Sequence, residues 1–246
     1  MIILVKTDLG LQYLKMNDME NVQKTYTDFH KKTASGHIYP TEWVIRSFLG
    51  TYPNLNLDKS KYPNAKLLDL GFGDCRNMPL LHNCNFQIYG VEISSEIILM
   101  AKEKLDQIGI NAVLKEGTNV NIPFGDKYFD YILACHSCYY VDKNTSFDQN
   151  VTEIARVLKQ DGIFIASLPA PNNFILKDSI NLGNGHVEIT NDIYNLRNGY
   201  VFRTFEDEKD IIQTFSPYFK EISICKCLDN FWGIQINFFI IAGKRK

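Results

Sequence analysis

A strand-like apolar run that breaks into a glycine turn is the feature that most constrains the fold of this chain. Residues 66–77, KLLDLGFGDCRN, contain one acid within the apolar run, Asp69, and then Gly71 and Gly73. Glycine permits a tight bend and, because it has no Cβ, lets a ligand lie against the main chain. A second apolar run, about twenty residues further on, ends in Glu92, where an acid accepts hydrogen bonds from ribose hydroxyls. The two linked features predict a βαβ unit that binds a nucleoside cofactor.

Strand and helix patterns alternate after this turn. Apolar runs predict strands over residues 66–70, 87–92, 111–115, 128–134 and 162–168. Helical spacing of apolar residues predicts helices between them, one of them capped by Ser94 or Ser95. A helix over residues 206–215 and two apolar strands over residues 221–228 and 234–242 complete the chain. This order predicts an α/β fold with a doubly wound, mostly parallel sheet.

The chain divides into a cap and a main domain. Residues 1–65 precede the first strand and are predicted to form an N-terminal helical cap, with one helix over residues 40–49. Residues 66–246 form the predicted domain. Within it, residues 170–203 are polar, have no clean period and are too long for an idle connection, so we expect a substrate-facing insertion there.

Composition and charge narrow the classes of partner. A net charge of −2 gives no general attraction to nucleic-acid phosphates, so we expect no nucleic-acid partner. No apolar run approaches the ~20 residues that span a bilayer, and no signal peptide is evident, so we expect a cytoplasmic protein without a membrane partner. The six cysteines are expected to be reduced. Their spacing compels no metal site, and none is predicted.

The glycine turn resembles the first motif of class I S-adenosylmethionine-dependent methyltransferases, Asp/Glu-x-Gly-x-Gly-x-Gly. Asp69, Gly71 and Gly73 match this motif, whereas Cys75 replaces its last glycine. Arg76 stands where a dinucleotide-binding fingerprint requires glycine, which argues against a nicotinamide cofactor. The resemblance continues to the end of the chain and implies a Rossmann-like, seven-stranded sheet whose last strand runs antiparallel.

The resemblance implies S-adenosylmethionine as cofactor, with S-adenosylhomocysteine as product. Asp69 is expected to orient the loop amides and the amino-acid end of the cofactor, and Glu92 to bind the ribose. The segment from Glu116 to Phe124 is similar to the family's adenine-binding segment, but Thr118 stands where the family has an acid. The complete cofactor set predicted in this way is Asp69, Gly71, Gly73, Arg76, Asn77, Glu92, Ile93, Thr118, Asn119, Val120 and Cys135.

Acceptor chemistry depends on whether the methylated group needs a base. A hydroxyl acceptor needs one, and histidine is the commonest choice near neutral pH. His136 follows the fourth strand and is the first candidate, with His37 and His186 as further catalytic candidates. An anionic acceptor would need cations and hydroxyls instead. The predicted substrate-binding residues are Tyr26, Tyr39, Trp43, Arg46, Tyr139, Tyr140, Tyr194 and Arg197, and Tyr200 supplies a further hydroxyl.

We therefore interpret the chain as a methyltransferase that O-methylates a small polar metabolite. The asparagine-rich insertion resembles enzymes of bacterial surface-polysaccharide and capsule biosynthesis, which suggests a sugar, a nucleotide-linked compound or a phosphoramidate precursor as acceptor. Two alternatives stay open at this point: an NAD(P)-dependent Rossmann oxidoreductase, and a nucleoside-binding module without catalysis. The sequence leaves the oligomeric state open.

Overall fold

The computed structural model describes residues 24, 25, 27, 28 and 38–246. The cap predicted over residues 1–65 is therefore described only in part. Its described helix, α1 (Glu42–Leu49), follows Thr41 and ends at Gly50, close to the predicted bounds. One face of α1 is buried against the main domain, and its buried residues are Trp43, Val44, Ser47 and Phe48.

A seven-stranded sheet organises residues 66–246. Numbered along the chain, its strands are β1 (Lys66–Leu70), β2 (Gln87–Glu92), β3 (Ala112–Glu116), β4 (Phe129–Ala134), β6 (Leu158–Pro169), β10 (Phe219–Phe231) and β11 (Ile234–Arg245). Their spatial order is β10-β11-β6-β4-β1-β2-β3. The pairs among β1, β2, β3, β4 and β6 are parallel, whereas β11 is antiparallel to both β6 and β10. The predicted doubly wound sheet with an antiparallel last strand is confirmed.

Helices cover both faces of this sheet. They are α2 (Met78–Asn83), α3 (Ser95–Gln107), α4 (Phe147–Val157) and α5 (Glu208–Phe215). Successive side chains of a strand point to opposite faces, so Leu67 and Leu68 belong to different apolar clusters, and both are fully buried. Ser94 precedes α3 as predicted. Ser146 opens α4 with a reciprocal capping box that involves Gln149, which satisfies two amides at the start of this helix.

A second, smaller sheet contains the predicted insertion. Its strands are β5 (Tyr140–Val141), β7 (Ile180–Gly183), β8 (His186–Glu188) and β9 (Val201–Arg203), in the order β5-β9-β8-β7. The sequence shows no clear hydrophobic period in this segment, because each strand is only 2–4 residues long. β5 lies between β4 and α4 in the chain, so this sheet ties the insertion to the carboxyl end of β4.

The larger sheet reverses its strand order between β1 and β4. The chain proceeds from β1 to β2 and β3 on one side, and then returns to place β4 on the other side of β1. In open α/β sheets, ligands bind outside the carboxyl ends of the strands at such a point. The segments after β1 and β4 are therefore where the site is expected.

Candidate functional site

A cavity of about 370 Å³ opens at the carboxyl ends of β1, β2 and β4. This volume lies within the range typical of small-molecule sites. It is lined by the glycine turn and the segments after β2, β3 and β4, and by a second wall that consists of Tyr140 in β5 and residues of the connection between β8 and β9. Twelve of the residues predicted from the sequence line it: Gly71, Gly73, Arg76, Asn77, Glu92, Ile93, Thr118, Asn119, Cys135, His136, Tyr140 and Arg197.

The glycine turn after β1 is built by close backbone contacts. Gly71 has a φ of +69°, and its amide donates to the Val91 carbonyl at 2.8 Å. A Cβ on Gly71 would lie 2.4 Å from the Cβ of Ser137, and the Ser137 hydroxyl in turn donates to the Leu70 carbonyl at 2.5 Å. Only glycine combines that φ with that approach, so position 71 is required by the turn itself.

Glu92 is held at the end of β2 by two backbone amides. Its carboxylate accepts from the Gly73 amide at 2.9 Å and from the Ile93 amide at 2.8 Å. Burial raises the pKa of Glu92, and these two amides oppose the rise. Each carboxylate oxygen keeps a further lone pair. The side chain is therefore oriented in advance to accept hydrogen bonds from a ligand's vicinal hydroxyls.

Asp69 lies beneath the turn and is completely buried. Neither of its oxygens accepts a hydrogen bond from a described residue, so it does not orient the loop amides as expected; Glu92 bonds the Gly73 amide instead. Burial, together with the nearby Glu92 and Asp74 carboxylates, raises the pKa of Asp69 to about 8. A buried acid without a partner is unfavourable unless a ligand supplies a charge or a donor.

The segment after β3 is a tight turn that is hydrogen-bonded to the segment after β4. Thr118 and Asn121 exchange backbone hydrogen bonds of 3.1 and 3.2 Å. The Asn119 side chain donates to the carbonyls of Ser137 and Tyr140, at 3.0 and 3.3 Å. The amide nitrogen of Asn119 is thus engaged with the protein, and this side chain fixes the turn to the segment after β4.

The described part of the cap is joined to the cavity through Thr41. The Thr41 amide donates to Asn77 Oδ1 at 3.0 Å, and its hydroxyl oxygen lies 3.6 Å from Cys135 Sγ. Burial raises the pKa of the Cys135 thiol to about 12, so this cysteine is neutral and does not act as a thiolate. Thr41 itself lines the cavity, although the sequence had not singled it out.

His136 enters the cavity wall as a neutral imidazole. Trp43 Nε1 donates to its Nε2 at 3.4 Å, and its Nδ1 lies 3.0 Å from Ser167 Oγ. Burial, together with the positive charges of Arg197 and Arg76, lowers the pKa of His136 to about 4. Because the indole N–H can only donate, Nε2 is the acceptor and Nδ1 carries the proton. The ring is a weak base whose lone pair faces Trp43.

The second wall, which consists of Tyr140 and the connection between β8 and β9, is aromatic and cationic. Arg197 Nε donates to the Tyr140 hydroxyl at 3.2 Å, and its Nη1 lies 3.1 Å from the fully buried Asp192 carboxylate. That carboxylate also accepts from the backbone amides of Leu196 and Arg197, at 3.0 and 3.1 Å. The ring centroids of Tyr140 and Tyr200 are 5.3 Å apart in an edge-to-face arrangement. Arg197 is thus neutralised within the wall.

Several predicted residues lie away from the cavity lining. Trp43 and Tyr139 are buried behind it, Tyr39 and Tyr194 are 73% and 54% exposed, and Arg46 pairs with Glu42 on the surface of α1. Val120 is in the turn after β3, and His186 is in β8; neither lines the cavity. His37 and Tyr26 lie outside the described residues.

Residues that the sequence did not single out as ligand contacts also line the cavity. Besides Thr41, they include Asp142, Leu196 and the phenol of Tyr200, which the sequence suggested only as one hydroxyl among many. The alternation of Tyr140, Val141 and Asp142 could have indicated a short strand, but two residues are too few for a periodicity argument.

Within the described part of the chain, no three His, Cys, Asp or Glu side chains converge as metal ligands. None of the helices described between residues 38 and 246 has the length and hydropathy needed to cross a membrane.

Comparison with known proteins agrees with this geometry. Residues 68–166 match the family described as a methyltransferase domain. The chain is 29% identical over 122 residues to the uncharacterized methyltransferase YcgJ of Bacillus subtilis, covering 47% of this chain and 46% of that protein. It is 27% identical over 157 residues to an uncharacterized protein of Methanocaldococcus jannaschii, covering 63% and 57%. The chain thus spans about half the length of the curated relatives it matches.

The fold is shared with solved methyltransferase structures. An S-adenosylmethionine-dependent methyltransferase from Methanosarcina mazei superposes with a TM-score of 0.57 at 17% identity, over 79% of this chain and 98% of that one. At this identity the likeness concerns the fold. It supports the Rossmann-like assignment, with the small antiparallel sheet as an addition to the seven strands.

Proposed function

We propose that this chain, whose residues 68–166 match a methyltransferase domain, transfers a methyl group from S-adenosylmethionine to a hydroxyl of a small polar molecule. The proposal rests on the position of Glu92. Its carboxylate accepts hydrogen bonds from the Gly73 and Ile93 amides, next to the glycine turn. A carboxylate placed in this way binds the ribose diol of a nucleoside. The methyltransferase family match favours this cofactor over a nicotinamide.

The buried Asp69 fits the same cofactor. Its oxygens have no hydrogen-bond partner among the described residues, and burial keeps its carboxyl protonated near neutral pH. The ammonium group at the amino-acid end of S-adenosylmethionine, bound directly or through a water, would supply the missing donor and stabilise the carboxylate. The sulfonium supplies an electrophilic methyl group, so the protein's task is to position the acceptor and exclude water.

The charges of the cavity favour a neutral, hydroxyl-bearing acceptor. Both arginines that line it are already paired: Arg76 forms a double hydrogen bond with Asp74, and Arg197 is paired with Asp192. An anionic acceptor would therefore have to compete with these carboxylates. His136 is neutral, and its two ring nitrogens contact Trp43 and Ser167, so it adds no charge to the cavity. The suggestion of a surface-polysaccharide precursor stays a prediction, because none of these contacts distinguishes a sugar from another polyol.

Cofactor binding and turnover can be tested separately. Isothermal titration is expected to give micromolar affinity for S-adenosylhomocysteine and no binding of NAD(H). Incubation with methyl-labelled S-adenosylmethionine and a metabolite extract is expected to give a labelled small molecule, which mass spectrometry would identify. Binding of NAD(H) without S-adenosylhomocysteine would overturn the cofactor. Cofactor binding without any labelled product would favour a non-catalytic module.

A further inference from the structure

The outer part of the β10–β11 hairpin projects beyond the rest of the large sheet. β11 pairs with β6 only between Phe238 and Lys244, so residues 228–231 and 234–237 pair, among the described strands, only with each other. Trp232 and Gly233 form the turn between them, with φ values of +47° and +93°. Positive φ at both positions is typical of the type I′ turn that closes a two-residue hairpin. A two-stranded ribbon is only marginally stable by itself, so a further strand would stabilise this segment.

Three large apolar side chains of this ribbon are exposed. Leu228 is 58% exposed, Phe231 is 47% exposed, and Trp232, at the tip, is 97% exposed. Single exposed apolar residues are ordinary on a protein surface, whereas a contiguous group of them marks an interaction site. The ribbon is therefore a candidate contact surface.

The outer edge of β10 is open along the same segment. β10 is the last strand in the sheet order, and among the described strands only β11 pairs with it. Phe231 and Ile234 close the turn as a hydrogen-bonded pair, and such pairs alternate along an antiparallel ladder. Leu228 and Asn230 consequently direct their backbone N–H and C=O groups outward. These groups fit another β-strand, which makes a strand the expected occupant of this edge.

Features that normally block an edge strand are confined to the first half of β10. The register shifts between Lys220 and Ser223, and Glu221 there has a φ of +51°, which interrupts regular pairing. The second half carries one lysine, Lys226, whose ammonium lies 5.8 Å from the centroid of the Phe239 ring. Its side chain thus lies over the face of the sheet and leaves the edge accessible.

We propose that this edge pairs antiparallel with the same edge of a second copy of the chain, so that the protein forms a two-fold dimer through β10. In such an interface each copy presents the same surface to the other. Pairing centred on Leu228 sets this residue opposite Leu228 of the second copy, Lys226 opposite Asn230, and Cys225 opposite Phe231. It forms about six main-chain hydrogen bonds and buries exposed apolar side chains of both copies.

The charges of β10 favour this register over its neighbours. Pairing centred on Cys225 would set Glu221 opposite Asp229, and pairing centred on Lys226 would set two lysines opposite each other. Like charges that are directly opposite destabilise a strand pair. In the register centred on Leu228, Lys226 and Asp229 each face an uncharged residue of the second copy.

The same charges disfavour a lipid surface as the occupant. Lys226 and Asp229 are the only charged residues between positions 223 and 237, and their charges cancel. Segments that lie in a membrane interface are rich in lysine and arginine on their polar side. The open main-chain groups likewise call for a strand, which a lipid does not provide.

Analytical ultracentrifugation of the full chain tests the dimer. We expect the unaltered protein to sediment with twice the mass of one chain at micromolar concentrations. Leu228→Lys should raise the dissociation constant of the dimer by about 30-fold or more, because it removes two buried leucines and sets two ammonium groups face to face. Leu99→Lys is the matched control, since Leu99 lies on α3 and is 61% exposed, and it should leave the dimer unchanged.

A charge exchange tests the register. Leu228→Glu alone should weaken the dimer as Leu228→Lys does, because two carboxylates then face each other. An equimolar mixture of the two variants should associate at least about 10-fold more tightly than either variant alone, since lysine then faces glutamate. Pairing centred on Cys227 would instead set residue 228 opposite Lys226, so that Leu228→Glu alone would strengthen the dimer.

Each contrary outcome overturns the proposal. An unaltered protein that sediments as a monomer, a dimer that Leu228→Lys leaves intact, or a mixture that does not associate would each contradict pairing through Leu228. Binding of a monomer to phosphatidylcholine–phosphatidylserine vesicles, lost in Trp232→Ala, would assign the ribbon to a membrane and overturn the dimer. Circular dichroism establishes that each variant is folded. None of residues 223–237 lines the cavity, so these results do not bear on the proposed function.

Discussion

Replacing Asp69 by asparagine should stabilise the unliganded protein, although it removes a residue of the glycine-turn motif. The carboxyl has a pKa of about 8 in the folded protein against 3.8 for the ordinary group, because it is buried without a hydrogen-bond partner among the described residues. Each pKa unit corresponds to about 1.4 kcal/mol. Keeping this carboxyl protonated at pH 7, where the unfolded chain would ionise it, therefore costs about 4 kcal/mol.

The sign of the pH dependence follows from this difference. Between about pH 4 and pH 8, the folded state retains a proton that the unfolded state releases, so the free energy of unfolding falls as pH rises. Asparagine does not titrate and avoids this loss, but its buried amide carries its own cost of about 1–3 kcal/mol. We expect Asp69→Asn to be more stable than the unaltered protein by about 1–3 kcal/mol at pH 7.

Urea unfolding at pH 5 and pH 8 measures this effect directly. The stability advantage of Asp69→Asn should grow by about 3–4 kcal/mol between these two pH values, because the cost of the amide is the same at both. Asp106→Asn, at an exposed acid, is the control and should show no such growth. The same Asp69 variant should bind S-adenosylhomocysteine about 10-fold more weakly, since the ligand's ammonium loses its carboxylate.

A variant that is less stable at pH 8, or an advantage that does not change with pH, would refute the reasoning. Either result would mean that Asp69 has a partner in the folded protein that satisfies its charge. Opposite signs for stability and ligand affinity are the signature of a residue retained for binding rather than for folding.

Three further predictions concern the turn, the ribose acid and the histidine. Gly71→Ala should lower the free energy of unfolding by about 2–4 kcal/mol in urea titrations, since its Cβ meets Ser137 at a positive φ; a change below about 0.5 kcal/mol would contradict the close approach. Glu92→Ala should weaken S-adenosylhomocysteine binding by ~2–4 kcal/mol in calorimetry, with Glu92→Gln closer to the unaltered protein; unchanged affinity would remove Glu92 from the site. With a pKa of about 4, His136 is neutral throughout pH 6–8, so kcat should show no titration near pH 6.5. Because its Nε2 already accepts from Trp43, His136→Ala should lower kcat only slightly, and a ~100-fold loss would show that the ring takes the acceptor's proton.

Much of the fold was predictable because it depends on local patterns. A strand buried on both faces reads as an apolar run, and a following glycine pair marks the turn. Carboxyl ends of neighbouring parallel strands share one edge of the sheet, so the distance along the chain between Gly73 and Glu92 was enough to bring them together. The structure joins them by a hydrogen bond of 2.9 Å.

The chemistry of the second wall was not predictable in this way. Tyr140 and Arg197 are 57 residues apart, and the hydrogen bond between them forms where a two-residue strand, β5, pairs with β9 from the insertion. No periodicity marks so short a strand. Likewise, Tyr39 and Arg46 belong to the predicted cap but are exposed, whereas a different face of α1 is buried.

The sequence by itself determined the class of fold, the glycine turn, and Glu92 at the end of the next strand. Each of these features is encoded within a few neighbouring residues. Tertiary structure alone decided the charge states: Asp69 is protonated near neutral pH, His136 is neutral, and Arg197 is paired with Asp192. A pKa depends on burial and on the charges nearby, and these are supplied by elements far apart in the chain.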